Sequence, residues 1–442
     1  MGPLVDVVPS SDRMPRRAEV VVIGGGIVGV ATALALVEKG IETVLLEKGS
    51  IAAEQSSRNW GWCRRTGRDL RELALIEASM RMWEGMDARL GRETGFRRHG
   101  ILYASRDEQQ RDRHLRWLEH AREHGFDSRM LSPAEVVERV PGLAEPLAGA
   151  LETPADGRAE PQKAAPAMAM AAIERGLNLQ QHCAVRTIER QAGRVGQVVT
   201  EHGAIDCQAV VVAGGAWSRL LLQGVGERLP QLKVLSSVLR TRPLELPIEP
   251  CVSLGGVAFR KRLDGGWTIA SSATNLVELT PDNLRFARLF LPAYRVEHRS
   301  LSLRVGARSF DEAFHWRPGR ADAVSIYERL RVLDPAPHAP ALAAMIERLR
   351  SAVPGFAGLE VAQSWGGLID TMPDAIPVIS PVERLPGAFV ATGFSGHGFG
   401  IAPAAGRLVA DLVTQDEPIV DPRPFRLSRF EDGERIRAQH WL

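Results

Sequence analysis

An α/β fold is predicted by this sequence of 442 residues: a parallel sheet crossed by helices, joined to a second, α+β lobe with a mainly antiparallel sheet. Three observations carry that expectation. "VVVIGGGIVGVA", residues 20–31, is a buried apolar run, a glycine turn and the start of an alanine- and leucine-rich helix. "ETVLLEK", residues 42–48, is a second strand, which completes a β-α-β unit and implies a parallel sheet. The stretch 231–340 has strands and proline-bounded turns but no glycine turn of that kind, and it predicts a separate lobe.

The elements follow in order. The first strand is expected over Val20–Ile23 and the first helix over Ile27–Lys39, with Gly40 as its stop. Residues 69–90 carry Leu70, Leu73, Ile76, Met80 and Trp83 on one helical stripe. "GILYASR" predicts a strand, and 107–124 a charged, solvated helix. Ser132 with Pro133 marks a helix start, and Pro161 opens another helix ending near Gly176. Strands are expected near 179–190 and 195–200 and within "DCQAVVVAGGAWS" at 206–218, then over Leu235–Arg242 and Gly266–Ser271, with a helical segment near 282–290. From Val361 the strand-and-glycine texture of the first lobe returns. The expected division gives segments 1–95, 151–230 and 358–442 to the first lobe, and 96–150 and 231–357 to the second. There is no internal repeat.

Composition narrows the function classes. Hydrophobic residues make up 45% and charged residues 24%, ordinary for a globular protein. A formal net charge of +2 gives no strong field toward nucleic acid. The apolar run at 20–37 is interrupted by Gly24, Gly25, Gly26 and Gly29 and continues into a strand, which argues against a signal peptide or membrane span. Cys63, Cys183, Cys207 and Cys251 form no C-x-x-C pair and no metal-ligand spacing, so reduced, buried thiols, no metal site and a cytoplasmic protein are expected.

Gly24-x-Gly26-x-x-Gly29, between strand and helix, is the chemistry-bearing motif. Gly24 permits the turn, Gly26 leaves room for a pyrophosphate, and Gly29 lets helix and strand pack closely. The helix N-terminus adds partial positive charge toward the phosphates. Glu47 stands 18 residues past Gly29, where an acid meets ribose hydroxyls. The pattern serves NAD and FAD alike, and the chain holds one copy, which suggests a single tightly held dinucleotide. A second glycine turn, "GFSGHGFGIAP" at 393–403, must serve another purpose.

Four stretches together resemble the FAD-dependent D-amino-acid, glycine and sarcosine oxidase superfamily. They are the opening turn with Glu47, "EQSSRNWGWCRRTGR", "VVVAGGAWS", and "SWGGLIDTMPDAIPVIS" followed by "GAFVATGFSGHGFGIAPAAGRLVADLV". The resemblance implies a Rossmann-like FAD-binding domain beside a substrate domain. It places Gly24, Gly26, Ile27, Val28, Gly29, Glu47 and Lys48 around the front of a non-covalent FAD. Ser56, Ser57, Val185, Ala213, Gly214 and Trp217 are further implied contacts. Gly367, Gly396, Gly398, Phe399 and Gly400 are implied at the ring, where backbone donors and a helix dipole stabilise charge on the reduced flavin.

The implied chemistry is hydride transfer from the α-carbon of an amine to flavin N5. The nitrogen lone pair supplies the push, and the imine product hydrolyses to an oxo acid or aldehyde plus amine. His397, Arg64 and Arg65 are the candidate catalytic residues. The arginines stand where sarcosine-oxidase-like members hold a substrate carboxylate, and His397 stands near the ring. Trp60, Trp62, Trp316, Trp365 and Tyr327 are candidate pocket walls. Arg308 is a weaker carboxylate candidate, and Lys261 sits in the run "RKRLDGG", expected as a solvated hairpin.

The chain departs from its relatives at two anchors. Ile369 replaces the arginine of glycine-oxidase-like members, and Gly400 replaces the lysine of sarcosine-oxidase-like members. Gly367 stands where covalent attachment would need a cysteine. The expected substrate is therefore an amino acid or N-substituted amino acid other than simple glycine, with oxygen or a quinone as electron acceptor. Two alternatives stay open at this point. One is the FAD-bearing subunit of a larger opine or amino-acid dehydrogenase complex, with any iron–sulfur cluster on a partner. The other is oxidation of a 2-hydroxy acid, which needs a general base such as His397.

Overall fold

Val20, Val21 and Val22 are all buried, and they sit at the centre of a parallel sheet. The computed structural model describes residues 2–271, 275–298 and 300–437. The Arg17–Ile23 strand pairs in parallel with Thr43–Leu46 on one side and Gly203–Val212 on the other. Asn178–Gln180 and Ala388–Thr392 extend the sheet in parallel at its two sides. An antiparallel hairpin, Val185–Gln191 and Arg194–Thr200, and the strand Val378–Pro381 complete eight strands.

The first helix, Ile27–Glu38, is buried from Ile27 to Val37, so it is a core helix, apolar on every side. It packs against Pro161–Glu174 and the late helix Gly398–Thr414. Gly406 allows that second contact, because a Cβ there would meet the Ala31 carbonyl carbon at 2.5 Å. Lys39 closes the helix end by pairing with buried Asp411 at 2.6 Å.

The second sheet has ten strands. Its hub is Leu232–Thr241, which pairs antiparallel with Trp267–Ser271, Asn275–Glu278 and, along its whole length, Val361–Thr371. The sequence boundary at 358 gave Val361–Thr371 to the first lobe, but its hydrogen bonds run to the second sheet. Pairing partners are non-local, so an apolar strand does not announce which sheet it joins. The chain re-enters the first sheet with Val378–Pro381 and Ala388–Thr392.

Local signals held well. Gly40 has φ +78°, the left-handed stop expected after the first helix. Ser132 and Glu135 form a reciprocal capping box at Pro133–Arg139, and Asp107 caps Glu108–Glu123 by accepting from Gln110 N at 2.7 Å. The 69–90 helix is instead a 3-10 turn, Leu70–Glu72, then Leu73–Glu84 and Met86–Leu90, broken at Gly85. The 282–290 segment is two helices, Pro281–Arg285 and Ala287–Glu297. All four cysteines are buried and unpaired. Among the described residues, no helix is long and apolar enough to cross a membrane.

A buried ion pair ties the two sheets' segments together. Arg260 donates to Glu160 through Nη1 at 2.8 Å and Nη2 at 3.0 Å, and its Nε donates to the Trp60 carbonyl at 2.6 Å. Burial pushes the Glu160 carboxyl up, but Arg260 and its hydrogen bonds outweigh that and hold it at about 2.

Candidate active site

A cavity of about 510 Å³ lies between the two sheets, lined by residues from both. At its front, Gly24 has φ +115°, and a Cβ there would stand 2.4 Å from the Ala213 carbonyl oxygen. A Cβ on Gly29 would stand 2.0 Å from the Gly24 oxygen, so Gly29 serves packing and does not line the cavity. Gly26 differs: a Cβ there would meet only Ser56 Oγ, at 3.2 Å, and the remaining side opens to the cavity. Gly26 is the N-cap of the first helix and offers no side-chain cap. Glycine turn and helix start therefore form a backbone donor set suited to a pyrophosphate, with the acid placed to accept from ribose hydroxyls.

Glu47 lines the same end. Its two oxygens accept from Gly25 N and Gly49 N, each at 2.6 Å, and burial raises its pKa. Lys48 pairs with Glu54 at 3.0 Å and sits 4.4 Å over the Trp217 ring. Ile27, Val28, Ser56, Val185, Ala213, Gly214 and Trp217 also line the cavity. Ser57 does not; it is fully buried behind the loop.

At the back, the second glycine turn leads into the helix Gly398–Thr414, with His397 as N-cap. Gly396, His397, Gly398 and Phe399 line the cavity, as does Gly367 on the Val361–Thr371 strand. Gly400 lies one layer deeper, where a Cβ would meet Cys63 Cα at 3.0 Å. Asp370 holds this turn. Its Oδ2 accepts from Gly393 N at 2.7 Å and from Thr392 Oγ1 and Gln231 Nε2 at 3.0 Å, while its carbonyl accepts from Ser395 N at 2.9 Å. Burial raises the Asp370 carboxyl to about 6 despite these donors.

Between the two ends lies a cationic corner. Arg64 and Arg68 both line the cavity. Arg64 donates to the Thr66 carbonyl and faces the Tyr103 ring at 5.7 Å. Arg68 is 3% exposed and donates to the carbonyls of Arg64 at 3.3 Å and His397 at 3.1 Å. Among the described residues, neither guanidinium has a carboxylate oxygen within 4.0 Å. Burial, with Arg64 nearby, lowers the Arg68 pKa to about 10. Trp60 and Trp62 wall this corner, edge to face at 5.4 Å.

Three sequence expectations do not meet the cavity. Arg65 points away, bonded to Glu77 at 2.5 Å and to the Ala155 carbonyl at 3.0 Å. Trp365 is buried behind the wall, donating to the Arg58 carbonyl at 3.1 Å. Trp316 is stacked behind Trp217 at 4.5 Å. The reason is shared: each turns its side chain into a core or ion pair that only the fold supplies. Tyr327 lines the cavity, but beside Trp217 at 5.7 Å, away from the arginine corner. Arg308 is paired with Glu278 at 3.1 Å, and Lys261 with Glu249 at 3.4 Å, outside the cavity.

Sequence reasoning missed four residues. Arg58 lines the cavity and donates to Asp334 at 2.7 Å and the Gly366 carbonyl at 2.9 Å. Glu72 accepts from or donates to His397 Nε2 across 2.8 Å. Asp370 and Arg68 are the others. Only Arg68 had a signal, its spacing of four residues from Arg64.

Comparison with known proteins agrees with this geometry. A family model described as FAD dependent oxidoreductase matches residues 19–412. Sarcosine oxidase subunit beta from Arthrobacter sp is 27% identical over 96% of this chain and 93% of its own. Glycine oxidase from Geobacillus kaustophilus is 26% identical over 94% of this chain and 98% of its own. The structure of L-amino acid deaminase from Proteus myxofaciens in complex with anthranilate superposes with a TM-score of 0.92 at 30% identity, covering 97% of each chain. FAD is the cofactor of this family, and the front turn, Glu47 and the back helix fit its two ends. The chain belongs to the DAO family of FAD-dependent oxidoreductases, enzymes that oxidise amino acids and related amines.

Proposed function

We propose that this enzyme oxidises the C–N bond of an α-amino acid or N-substituted amino acid whose carboxylate seats on Arg64 and Arg68. The observation that carries this is the pair of cavity-lining guanidinium groups that, among the described residues, have no carboxylate oxygen within 4.0 Å. A buried cation without a counter-charge is costly, and an anionic ligand removes that cost. Trp60 and Trp62 present apolar surface beside it, suited to a substrate bulkier than glycine.

Bound FAD supplies the two-electron acceptor for the hydride leaving the α-carbon. The protein's own groups orient and desolvate. Arg64 and Arg68 hold the carboxylate, which fixes the α-carbon, and the tryptophans exclude water. Backbone donors of the Gly396–Phe399 turn and the helix dipole behind them face developing negative charge. The substrate amine reacts as the free base, and the imine product hydrolyses to an oxo acid or aldehyde plus amine.

The cofactor is held without a covalent bond in this reading. Cys183 is the one cysteine lining the cavity, and it sits beside Glu47, where burial lifts its thiol to about 11. A protonated thiol at the front end is neither nucleophile nor neighbour of the ring.

The test is anaerobic bleaching of the purified flavoprotein. Amino acids and N-alkyl amino acids with apolar side chains are expected to bleach it, while the matching decarboxylated amines are not. Bleaching by amines and amino acids alike would remove the carboxylate anchor, and bleaching by 2-hydroxy acids alone would replace the reaction. Reoxidation in air against reoxidation by a quinone dye separates oxidase from dehydrogenase. Similarity to a protein named as a subunit favours a second reading, in which a partner chain takes the electrons. Full dye-coupled turnover by the isolated chain would end that reading.

A further inference from the structure

We propose that Gln162 and Gln181 are positioning residues that tie an N-terminal arm, residues 2–11, to the loop holding the phosphate turn, so that the arm controls cofactor release. The loop is residues 51–57. It grips the turn at two points: Ala52 N donates to the Gly25 carbonyl at 2.9 Å, and Ser56 Oγ accepts from Ile27 N at 2.8 Å. Ile51 packs where only glycine leaves room, since a Cβ on Gly25 would stand 2.8 Å from its Cδ1. Ala52 holds φ +59°, a left-handed conformation that a residue with a Cβ resists. Such a loop needs outside support to stay closed.

Two glutamines give that support, and both also hold the arm. Gln181 Oε1 accepts from Ile51 N at 2.8 Å, while its Nε2 donates to the Val8 carbonyl at 2.7 Å. Gln162 Nε2 donates to the Ser57 carbonyl at 2.5 Å, while its own carbonyl accepts from Asp6 N at 3.1 Å. The assignment at Gln181 follows from its partners: a backbone N–H only donates and a carbonyl only accepts, so one amide serves both.

The arm has no regular secondary structure, yet Val8 is 7% exposed and shares a hydrophobic cluster with Ile51 and Ala52. Its first described residue packs against a cavity-lining side chain: a Cβ on Gly2 would stand 2.5 Å from Arg58 Nη2. The arm is therefore one hydrogen-bonded link away from the loop and two from the phosphate turn. Beyond the glutamines, the arm is fastened at Gly2, Ser10 and Ser11 and by the Asp6–Lys163 pair at 3.2 Å; its backbone is irregular, and such segments open before the rest of a fold. Detachment of the arm removes the brace from residues 51–57 and lets the front of the cavity open.

The experiment measures FAD release from the holoenzyme on dilution, by recovery of flavin fluorescence. Two proteins are compared with the full chain: Gln181→Glu, and a chain lacking residues 2–9. Gln181→Glu keeps an acceptor for Ile51 N but sets a carboxylate against the Val8 carbonyl, so it cuts the arm link alone. Both proteins are expected to release FAD about tenfold faster, as loss of one or two hydrogen bonds implies. In Gln181→Glu the apoprotein unfolding midpoint and the substrate KM of the FAD-saturated enzyme are expected to stay unchanged, which a general loss of structure would not allow; the shortened chain also loses buried Val8 and is expected to melt lower. Unchanged release in Gln181→Glu overturns the glutamine link, whether or not the shortened chain folds. Faster release in Gln181→Glu accompanied by a lowered apoprotein midpoint reduces the effect to global instability and also overturns it.

Discussion

Glu72 Oε1 lies 2.8 Å from His397 Nε2, in a wall where Arg68 also donates to the His397 carbonyl at 3.1 Å. The half-buried histidine of the second glycine turn is thus tied to a buried acid and flanked by two cations. Burial lowers the His397 pKa, Glu72 works against that, and Arg68 and Arg64 add to it. A histidine held down in this way adds stability above its unfolded value of about 6.5, and loses it as pH falls through the folded value. Glu72→Gln removes the one raising charge, so His397 is expected to titrate lower still. A histidine NMR titration of the holoprotein checks this, and an unchanged or raised pKa would contradict it.

Arg68 and Arg65 separate substrate binding from folding. Arg68→Met is expected to cost about 2–4 kcal/mol in kcat/KM for carboxylate substrates, in line with loss of a desolvated charge pair. Arg65→Met leaves Asp156 buried without its cation, 3.7 Å away, and is expected to lower stability by about 3 kcal/mol. Thermal melts and steady-state kinetics on both variants decide the split. Equal kinetic damage at Arg65 would place that residue back in the site.

The Glu160–Arg260 pair gives a pH signature. The Glu160 carboxyl is held at about 2, so its contribution is full above its unfolded value near 4.3 and is lost as pH falls toward 2. Arg260→Met leaves the buried carboxylate with only Arg262, 3.8 Å away, as its cation and is expected to cost about 3 kcal/mol at neutral pH. The variant's deficit should shrink in acid, where Glu160 is protonated. Denaturant melts at neutral pH and near pH 4 test the sign.

Asp370 has the opposite sign. Its pKa is raised to about 6, so its stability term is full below its unfolded value of about 3.9 and fades as pH rises through 6. Asp370→Asn should flatten the stability profile between those values. A slope that persists in the variant would mean another group titrates there.

Gly26 and Gly29 are expected to fail differently. Gly29→Ala drives a methyl to 2.0 Å from a backbone oxygen and should destabilise the fold by about 3 kcal/mol or more. Gly26→Ala meets only Ser56 Oγ at 3.2 Å, so the fold should survive while FAD binding weakens by about 1–2 kcal/mol. Melting of the apoprotein beside FAD titration distinguishes the two, and equal melting losses would refute the distinction.

The local signals were legible because they are short-range. Gly24, Gly26 and Gly29 announced a turn through backbone sterics, Ser132 with Pro133 announced a helix start, and Gly40 a stop. The amphipathic stripe from Leu70 to Trp83 was visible, but its break at Gly85 was not, because a helix interior tolerates glycine until tertiary contacts decide otherwise. In the site, Arg64, His397, Trp60 and Trp62 were named from spacing and resemblance. Arg64 and Arg65 could not be told apart, since the chain's course through Arg65 and Thr66, which sends one guanidinium into the cavity and the other outward, depends on Asp156 ninety residues away.

By itself, then, the sequence determined the β-α-β start, the dinucleotide turn and the two glycine-rich turns that line one cavity. These follow from steric freedom and hydrophobic period, both properties of neighbouring residues. The tertiary structure alone decided which sheet Val361–Thr371 joins, which arginines keep no counter-charge, and how Gln162 and Gln181 tie the arm to the loop. Those outcomes rest on burial and pairing between distant segments, where desolvation makes each partner's position matter and no local pattern records it.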